Sequence, residues 1–429
     1  MEEKQLFAKV KQILYQNLET GYSKHCQADY TFIKPSKSFY RFQFFWDTCF
    51  HVFILTALDE TELAKRCLKS LFAMQLENGF VGHIHYWNNV LPSRLTDVFQ
   101  SQPSLGINLL RSHMSALIQP PLAADALMHI WKATGDEDYL KEMLPKLKKY
   151  YNWLADNRDF DGDGLLTIIT PFESGMDWKA SYDPVLNFPR KKADTRLFFK
   201  VISVDFHNFL CNYNKQKLKE WNSFRVKDAG VNTIYILNLE TMAELCRIAG
   251  DADAEIYWDR AKKAIQSMMR IMYDKDDAAF YDVYGKADEK LRVLTPTALF
   301  PILIKGLPPD LEKHVMDRHF FNKEEFYTEY PIPSLAANDP AFDPGESFFI
   351  WRGSTWIINN WLIHKFLLGK GYYQEANHLI KSIRKLIEKS GFREYYNPFT
   401  GEGYGAENFT WAGLVADMIH TEKERSKEL

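Results

Sequence analysis

The sequence predicts an all-α fold in which pairs of helices close into a ring and long loops form a site at one end. Three observations predict it. Apolar residues recur at helical spacing in about a dozen segments, short polar hinges join several segments in pairs, and the other connections are long and rich in Gly, Pro, Trp and Tyr. The alternative is an α-solenoid of helical repeats. Because no fixed-period repeat is visible, we favour the closed ring.

Apolar stripes define the helices. The first stripe, in residues 4–18, consists of Leu6, Phe7, Val10, Ile13 and Leu14. The same spacing predicts helices at 46–57, 60–76, 120–134, 137–155, 196–214, 233–249, 251–273, 296–305, 355–368, 372–390 and 407–421. The hinges at 133–137 and 248–252 each contain a Gly followed by an Asp, a pair typical of one helix ending and the next beginning.

The longer connections are 20–45, 78–118, 157–195, 274–295, 319–354 and 391–406. None of them is a low-complexity linker that would divide the chain, so residues 1–429 are expected to form a single domain.

Composition excludes several classes of protein. The net charge is −3 and the Lys and Arg residues are scattered, so no nucleic-acid partner is expected. No run of about 18 apolar residues is present, and the N-terminus lacks the apolar core of a signal peptide. Five Cys residues without a CxxC spacing argue against a disulfide framework and a zinc site. We expect a cytoplasmic enzyme without a membrane partner; the oligomeric state stays open, a homo-oligomer included.

The hexapeptide ESGMDW places Asp177 between a Gly and Trp178 in a loop. A carboxyl group beside an indole is desolvated, which raises its pKa and suits it to act as a general acid near neutral pH. The alternative is a turn Asp that bonds its own backbone, and the hexapeptide alone favours that alternative. An acid would need a partner carboxylate elsewhere in the chain.

Two later loops combine a charged residue with aromatic residues. In GFREYYNPFTGEGYG, Glu394 follows the end of a helix, where a lone Glu is usually solvated. In FFIWRGSTWIINNW, Arg352 lies between a Trp and a Gly. An Arg can hold a carboxylate or a sugar hydroxyl, and it can equally pair with a structural acid such as Asp343 or Glu346.

Three further motifs offer ligand contacts. In FYRFQFFWDTCFH, Trp46 and Asp47 open a helix, where the Asp is either a cap or part of a clamp on a sugar ring. In GHIHYW, His83 and His85 are too few for a metal site without a third ligand. Gln119, before two Pro residues, either faces a ligand or caps a helix.

The stretch DFDGDGL, residues 159–165, resembles the start of a calcium loop. The EF-hand pattern also requires a Glu further along and a second flanking helix, and neither is evident. We favour a tight turn before a strand formed by residues 165–169.

In order, the chain reads FFWDTCFH, GHIHYW, QPPLAADA, DGDGL, ESGMDW, YPIPSL, WRGSTWIINNWL and REYYNPFTGEGYGAENFTWAG. Each motif alone is weak, but the ordered set, over residues 39–416, resembles glycoside hydrolase family 63, which shares a clan with the family 37 trehalases. The resemblance implies an (α/α)6 barrel that hydrolyses α-glycosides with inversion. It also implies one catalytic domain over residues 1–429, and neither a metal nor another cofactor is expected.

The resemblance assigns roles to particular residues. The Asp of the ESGxD motif, here Asp177, is the general acid. The Glu of the E-Y-N-P-x-T-G motif, here Glu394, is the general base. Glu173 is then expected to hold the loop. Substrate-binding residues are expected at Tyr40, Trp46, Asp47, His83, His85, Tyr86, Gln119, Gly175, Trp178, Trp351, Arg352, Gly353, Trp356 and Glu407.

Inverting hydrolysis needs two carboxyl groups roughly 6.5–9.5 Å apart, so that a water molecule fits between one of them and the sugar. The chain is nearly all barrel, which is similar to the compact family members that split mannosylglycerate or glucosylglycerate. We therefore expect a small-molecule glycoside with one carboxylate. The candidate donors to that leaving group are Tyr30, Lys34, Lys37, Tyr40, Tyr86, Trp87, Gln119 and Arg352, and the sequence does not choose among them.

Three other functions stay open on the sequence. An α-glucosidase acting on a short disaccharide of the kojibiose or trehalose type would keep the site and change the substrate. A sugar 2-epimerase uses the same barrel but transfers protons with His pairs, and His83 and His85 form the one tight pair in the sequence. A non-catalytic helical scaffold would not need two carboxyl-bearing loops dense in Trp and Tyr.

Overall fold

The computed structural model describes residues 1–87 and 114–428, and helices dominate both ranges. The middle of the predicted connection 78–118 lies outside the described residues. The described helices are α1 (Glu3–Gln16), α2 (Phe45–Ala57), α3 (Thr61–Leu71), α4 (Ala123–Thr134), α5 (Glu137–Arg158), α6 (Thr195–Leu210), α7 (Lys215–Trp221), α8 (Ala229–Ile248), α9 (Ala254–Ile271), α10 (Pro309–Val315), α11 (Ile357–Lys370), α12 (Tyr373–Ser390) and α13 (Leu414–Glu428). The prediction of a mostly helical chain is confirmed.

The two predicted hinges lie where helices meet. α4 ends at Gly135, whose φ of 61° is left-handed, and Asp136 begins α5 by accepting the backbone N–H of Tyr139 at 3.0 Å. α8 ends at Ile248 and is followed by Gly250 with a φ of 67°. Both hinges are therefore confirmed.

The helix predicted at 296–305 is wrong. This stretch forms two short 3-10 turns, Pro296–Ala298 and Phe300–Leu303. Pro301 has no N–H to donate, and its ring clashes with the preceding turn of an α-helix. The apolar spacing was right for a buried segment, but the proline prevents a continuous helix.

Short antiparallel strands connect the helices. They are β1 (Leu18–Ser23), β2 (Ala28–Ile33), β3 (Gln43–Phe44), β4 (Ile84–His85), β5 (Val226–Lys227), β6 (Tyr273–Asp274), β7 (Ala279–Phe280), β8 (Val283–Tyr284), β9 (Glu289–Lys290), β10 (Arg393–Tyr396) and β11 (Gly403–Glu407). β1 pairs with β2, β3 with β4, β6 with β7 and β10 with β11, and β8 lies between β5 and β9. The predicted helix 407–421 begins only at Leu414, and residues 165–169 make one isolated bridge instead of a strand.

Helix contacts follow the chain order and return to their start. α2 contacts α4, α4 contacts α8, α8 and α11 both contact the turn Phe300–Leu303, α11 contacts α13, and α13 contacts α2. Five other helices pack against this set: α3 packs on α2, α5 on α4, α9 on α8, α12 on α11 and α1 on α13. One cluster of buried apolar residues extends from Leu6 to Ile419. No helix in the described part of the chain is long and apolar enough to cross a bilayer.

Candidate active site

The two predicted carboxyl loops meet at one cavity, which we call the inner cavity. Asp177 and Glu394 both line it, together with Pro35, Tyr40, Phe44, Trp46, Asp47, Gln119, Gly175, Ile350, Trp351, Trp356, Phe409 and Trp411. An outer cavity adjoins it and shares Tyr40, Phe44, Gln119, Asp177 and Ile350. The outer cavity extends to Phe39, Arg41, Phe42, His83, Ile84, Phe172, Trp178 and Phe348. Asp177 therefore lies where the two cavities meet.

A glycine holds the Asp177 loop close to Trp46. Gly175 has a φ of 71°, and a Cβ atom there would lie 2.3 Å from the indole of Trp46, so a larger residue does not fit. Burial of Asp177, followed by the charges of Glu394 and Asp47, raises its pKa to about 8. The carboxyl group is therefore protonated at neutral pH.

Glu173 holds the same loop, as expected from the sequence. Its buried carboxylate accepts the backbone N–H groups of Ile118 at 3.0 Å and Ile169 at 2.9 Å, and it pairs with Arg158. Three separate chain segments are thereby joined beside Asp177.

Glu394 lies on β10 with both carboxylate oxygens engaged. Oε1 accepts the O–H of Tyr40 at 2.6 Å, and Oε2 accepts the backbone N–H of Ala406 at 2.9 Å. Burial raises the pKa of Glu394, whereas the two donors act in the opposite direction because they stabilise the ionised form. The two catalytic candidates thus differ: Asp177 is desolvated near other acids, and Glu394 is held by two donors.

A third carboxyl group, Asp47, also lines the inner cavity. Its Oδ1 accepts the indole N–H of Trp411 at 2.7 Å, and burial raises its pKa to about 7. The adjoining Trp46 donates its backbone N–H to Oε1 of Gln119 at 3.1 Å. The amide nitrogen of Gln119 is then the group that can donate to a ligand.

Aromatic rings wall both cavities. Trp351 and Trp356 stack on the inner cavity with ring centroids 3.7 Å apart and an interplanar angle of 11°. Trp178 lines the outer cavity and meets Phe172 edge to face at 5.9 Å. These rings exclude water, and a lower local dielectric strengthens the electrostatic interactions of the carboxyl groups.

Arg352 lines neither cavity, contrary to its predicted binding role. Its guanidinium forms a two-pronged ion pair with Asp183, at 2.9 and 2.6 Å, and donates to the carbonyl oxygens of Trp178 and Lys191. The residue is 1% exposed. The partner is a structural acid, although neither of the two considered from the sequence. Arg352 therefore braces the segment that carries Trp178.

Arg352→Met is expected to destabilise the fold by about 3–5 kcal/mol, because it leaves the buried carboxylate of Asp183 unpaired. Urea denaturation followed by circular dichroism measures the loss. Arg196→Met is the matched control, since its ion pair with Asp194 is exposed and should contribute less than about 1 kcal/mol. Equal stabilities of the two variants would contradict a structural role for Arg352.

Four more predicted binding residues lie away from both cavities: His85, Tyr86, Gly353 and Glu407. His85 is the last residue of β4 and its ring is buried, and Gly353 packs on the backbone of Asp343. Glu407 points to solvent and pairs with Arg393 at 2.6 Å. Neighbours in a motif face different directions on a short strand or turn, which the motif alone does not reveal.

The two His residues of GHIHYW lie in different surroundings. His83 lines the outer cavity, and its Nδ1 bonds the hydroxyl of Ser115. His85 is 0% exposed and lines neither cavity. The His pair that a 2-epimerase would need is therefore not assembled at this site.

The candidate donors to the leaving group divide between two places. Tyr40 and Gln119 line both cavities. A separate side pocket is lined by Glu19, Tyr30, Phe32, Lys34, Lys37, Arg41, Phe42, Tyr86 and Trp87. Lys34 pairs there with Glu19 at 2.8 Å. Arg41 and Phe42 belong to the side pocket and to the outer cavity, so the two adjoin.

Several cavity residues were not singled out from the sequence. They are Pro35, Phe39, Arg41, Phe42, Phe44, Ile84, Phe172, Phe348, Ile350, Phe409 and Trp411. Most lie inside the stretches FYRFQFFWDTCFH, FFIWRGSTWIINNW and REYYNPFTGEGYGAENFTWAG, near residues that were singled out. The available signal was the aromatic density of those motifs, which marks a cavity wall without telling which rings face inward.

The Asp-rich stretch 159–165 is a turn held by protein cations. Asp159 accepts three backbone N–H groups of the turn. Asp161 pairs with Arg225 at 2.7 Å, and Asp163 pairs with Lys227 at 2.7 Å. Within residues 1–87 and 114–428, no group of three or more His, Cys, Asp or Glu side chains could hold a metal ion. The stretch therefore forms a turn, and one isolated bridge at Ile168 replaces the strand expected after it.

Two buried carboxyl groups with different neighbours in one aromatic cavity, at the loops of a helical fold, are typical of glycoside hydrolases. Comparison with known proteins agrees. The family model for the mannosylglycerate hydrolase MGH1-like glycoside hydrolase domain matches residues 40–412. The chain belongs to this family, which confirms the resemblance to glycoside hydrolase family 63.

Individual relatives match over nearly their whole length. The chain is 27% identical to mannosylglycerate hydrolase of Thermus thermophilus, covering 90% of this chain and 95% of the relative. It is 26% identical to glucosylglycerate hydrolase of Mycolicibacterium hassiacum, covering 87% and 91%. The crystal structure of family 63 mannosylglycerate hydrolase from Thermus thermophilus with Tris and D-glycerate superposes with a TM-score of 0.80, at 23% identity over 96% of this chain and 99% of that one. The fold is therefore shared.

Proposed function

We propose that the chain is an inverting α-glycoside hydrolase that releases a hexose from mannosylglycerate or glucosylglycerate. One observation carries the proposal: Asp177 and Glu394 line the same cavity, where Asp177 lies near other acids and Glu394 accepts two hydrogen bonds. A carboxyl pair divided in this way can supply a general acid and a general base.

In the proposed reaction, Asp177 gives its proton to the glycosidic oxygen as the bond to the anomeric carbon breaks. Glu394 takes a proton from a water molecule that attacks the anomeric carbon from the opposite face. The product is the β-anomer of the hexose. Inversion requires a carboxyl separation of roughly 6.5–9.5 Å, which leaves room for the water.

The hexose is proposed to bind in the inner cavity. Asp47 and Gln119 would bond its hydroxyls, and the stacked pair Trp351 and Trp356, with Trp46, would form the wall against its apolar face. Tyr40 lines both cavities, Gly175 lines the inner one, and His83 and Trp178 line the outer one. Because Asp177 lies where the cavities meet, the leaving group would occupy the outer cavity.

The names of the relatives favour glycerate as the leaving group, and the neighbouring crystal structure carries D-glycerate. A bound carboxylate needs a donor with positive charge. Among the described residues that line the two cavities, Arg41 is the one Lys or Arg, and its guanidinium matches a carboxylate in geometry. We therefore assign the glycerate carboxylate to Arg41.

The proposal extends to the architecture and the compartment. The elements α2, α4, α8, the turn Phe300–Leu303, α11 and α13 are proposed as the inner ring of an (α/α)6 barrel, a view supported by their contacts. One large apolar cluster, which extends from Leu6 to Ile419, supports one catalytic domain over residues 1–429. All five cysteines are free thiols, which suits a cytoplasmic enzyme.

A panel of α-glycosides tests the proposal. Mannosylglycerate and glucosylglycerate are expected to be hydrolysed with kcat/KM values at least about 100-fold above those of kojibiose and trehalose, because the neutral sugars offer no carboxylate for Arg41 to bind. Proton NMR during the first turnovers should detect the β-anomer of the hexose. Release of the α-anomer would overturn inversion, and no hydrolysis of either glycerate glycoside would overturn the substrate.

A second candidate keeps the site and changes the leaving group: an α-glucosidase acting on a short disaccharide. It is favoured by the aromatic lining of the outer cavity, where Phe39 and Phe348 are 54% and 50% exposed and could stack on a second sugar. Preference for kojibiose in the same panel would select this candidate.

A further inference from the structure

Tyr40 has no assigned role in the proposed reaction. It lines both cavities, and its hydroxyl donates to Oε1 of Glu394 at 2.6 Å. A hydroxyl has one proton, so a Tyr40 that donates to Glu394 has no second O–H to offer a ligand. Its place in the wall suggested a substrate contact, but its donor is already used by another side chain.

The ring of Tyr40 is fixed from two sides. It meets Phe44 edge to face at 5.8 Å and Phe409 at 5.7 Å. The segment before it is tied to the chain after Phe409, because the backbone N–H of Thr410 donates to the carbonyl oxygen of Pro35 at 2.9 Å. The hydroxyl is therefore held on Glu394 by the packing of the ring and not by the hydrogen bond alone.

The other carboxylate oxygen is fixed just as closely. Ala406 supplies its backbone N–H at 2.9 Å, and a Cβ atom on Gly405 would lie 2.5 Å from Oε2. Gly405 also has a φ of 66°, which favours glycine. One donor on each oxygen sets the plane of the carboxylate and leaves one lone pair on each oxygen for a water molecule.

We infer that Tyr40 is a positioning residue for Glu394, which it keeps ionised and aimed at the attacking water, and not a residue that binds the substrate. This inference rests on the proposed function, in which Glu394 is the base. Burial and the neighbouring charge of Glu394 raise the pKa of Tyr40 well above its ordinary value, so the hydroxyl stays a donor throughout the working range. Loss of that donor leaves Glu394 with Ala406 alone and favours its protonated form.

Tyr40→Phe tests this inference through the pH profile. We expect kcat to fall about 10–100-fold with KM changed less than about threefold, the loss expected for one hydrogen bond to a charged group. A base must be ionised, so activity falls as the pH drops through its pKa. The acid limb of kcat should therefore move to higher pH by about one unit.

Tyr404→Phe is the matched control, because that hydroxyl donates to the exposed Glu402 at 2.8 Å on the same hairpin. It should leave kcat and the acid limb unchanged. A Tyr40→Phe variant with raised KM and an unmoved acid limb would overturn the inference and assign Tyr40 to the substrate. Glu394→Ala separates the two claims: if it keeps wild-type turnover, the proposed function fails, whatever Tyr40→Phe does.

Discussion

Asp177→Asn is expected to remove nearly all turnover of hexosyl-glycerates while the protein stays folded. An amide has the shape of the carboxyl group but cannot deliver its proton to the glycosidic oxygen. A positioned general acid typically contributes about 10²–10⁴-fold, so kcat should fall by about 10³-fold. Steady-state kinetics on mannosylglycerate or glucosylglycerate and a thermal melt measure the two outcomes.

A substrate that needs no acid is the control for this variant. Fluoride is a good leaving group and departs from an α-hexosyl fluoride without the help of a general acid. The Asn variant should therefore lose much less activity on the fluoride than on the natural glycoside. Equal losses on both substrates would mean that Asp177 does not donate the proton. Loss of the folded signal would be visible in the melt and would identify a structural fault instead.

The ionisation of Asp177 gives two further predictions, one for the pH profile of the wild-type enzyme and one for the stability of Asp177→Asn. Wild-type turnover requires the protonated form, so activity should fall as the pH rises through about 8. The pKa of Asp177 is higher in the folded state than in the unfolded state. Its contribution to the free energy of unfolding is therefore fully present below the unfolded-state pKa and is lost as the pH rises through the folded-state pKa. Asparagine does not titrate, and the variant should melt at or above the wild-type temperature at pH 8.

Local patterns in the sequence were sufficient for most of the helices, though not for α7 and α10, and for the two carboxyl loops. A 3.6-residue apolar period depends on neighbours within one segment, and the hinge Gly135–Asp136 is a local signal as well. The proposed acid and base lie in motifs that can be identified, in their order along the chain, from the sequence alone. The same argument failed at Pro301, where the apolar period persisted but the backbone could not complete its hydrogen bonds.

Contacts between segments that are far apart along the chain could not be predicted from the sequence. Arg352 and Asp183 are 169 positions apart, and Tyr40 and Glu394 are 354 positions apart. A motif names an Arg and a Tyr as polar groups near a site, but only the packed fold decides what each one meets. This is why Arg352, expected to bind substrate, pairs with a buried acid, and why Tyr40 meets a carboxylate.

Glu394→Ala is expected to remove turnover as completely as Asp177→Asn does, but to respond to a different rescue. Without a base, water is too weak a nucleophile at the anomeric carbon, and kcat should fall by about 10³-fold. Azide needs no base to attack, and the shortened side chain leaves space for it beside Ala406. Added azide should therefore restore turnover of an α-hexosyl fluoride in this variant and yield the β-hexosyl azide.

The same azide addition serves as a control on Asp177→Asn, where the base is intact and water remains the nucleophile, so little change is expected. An α-hexosyl azide from Glu394→Ala would indicate attack through a covalent intermediate and contradict inversion. Rescue of both variants by azide would contradict the division of roles. A β-azide from Glu394→Ala alone, combined with fluoride hydrolysis retained by Asp177→Asn, is the outcome expected for separate acid and base roles, and release of the β-anomer by the wild-type enzyme then excludes Glu394 as a nucleophile.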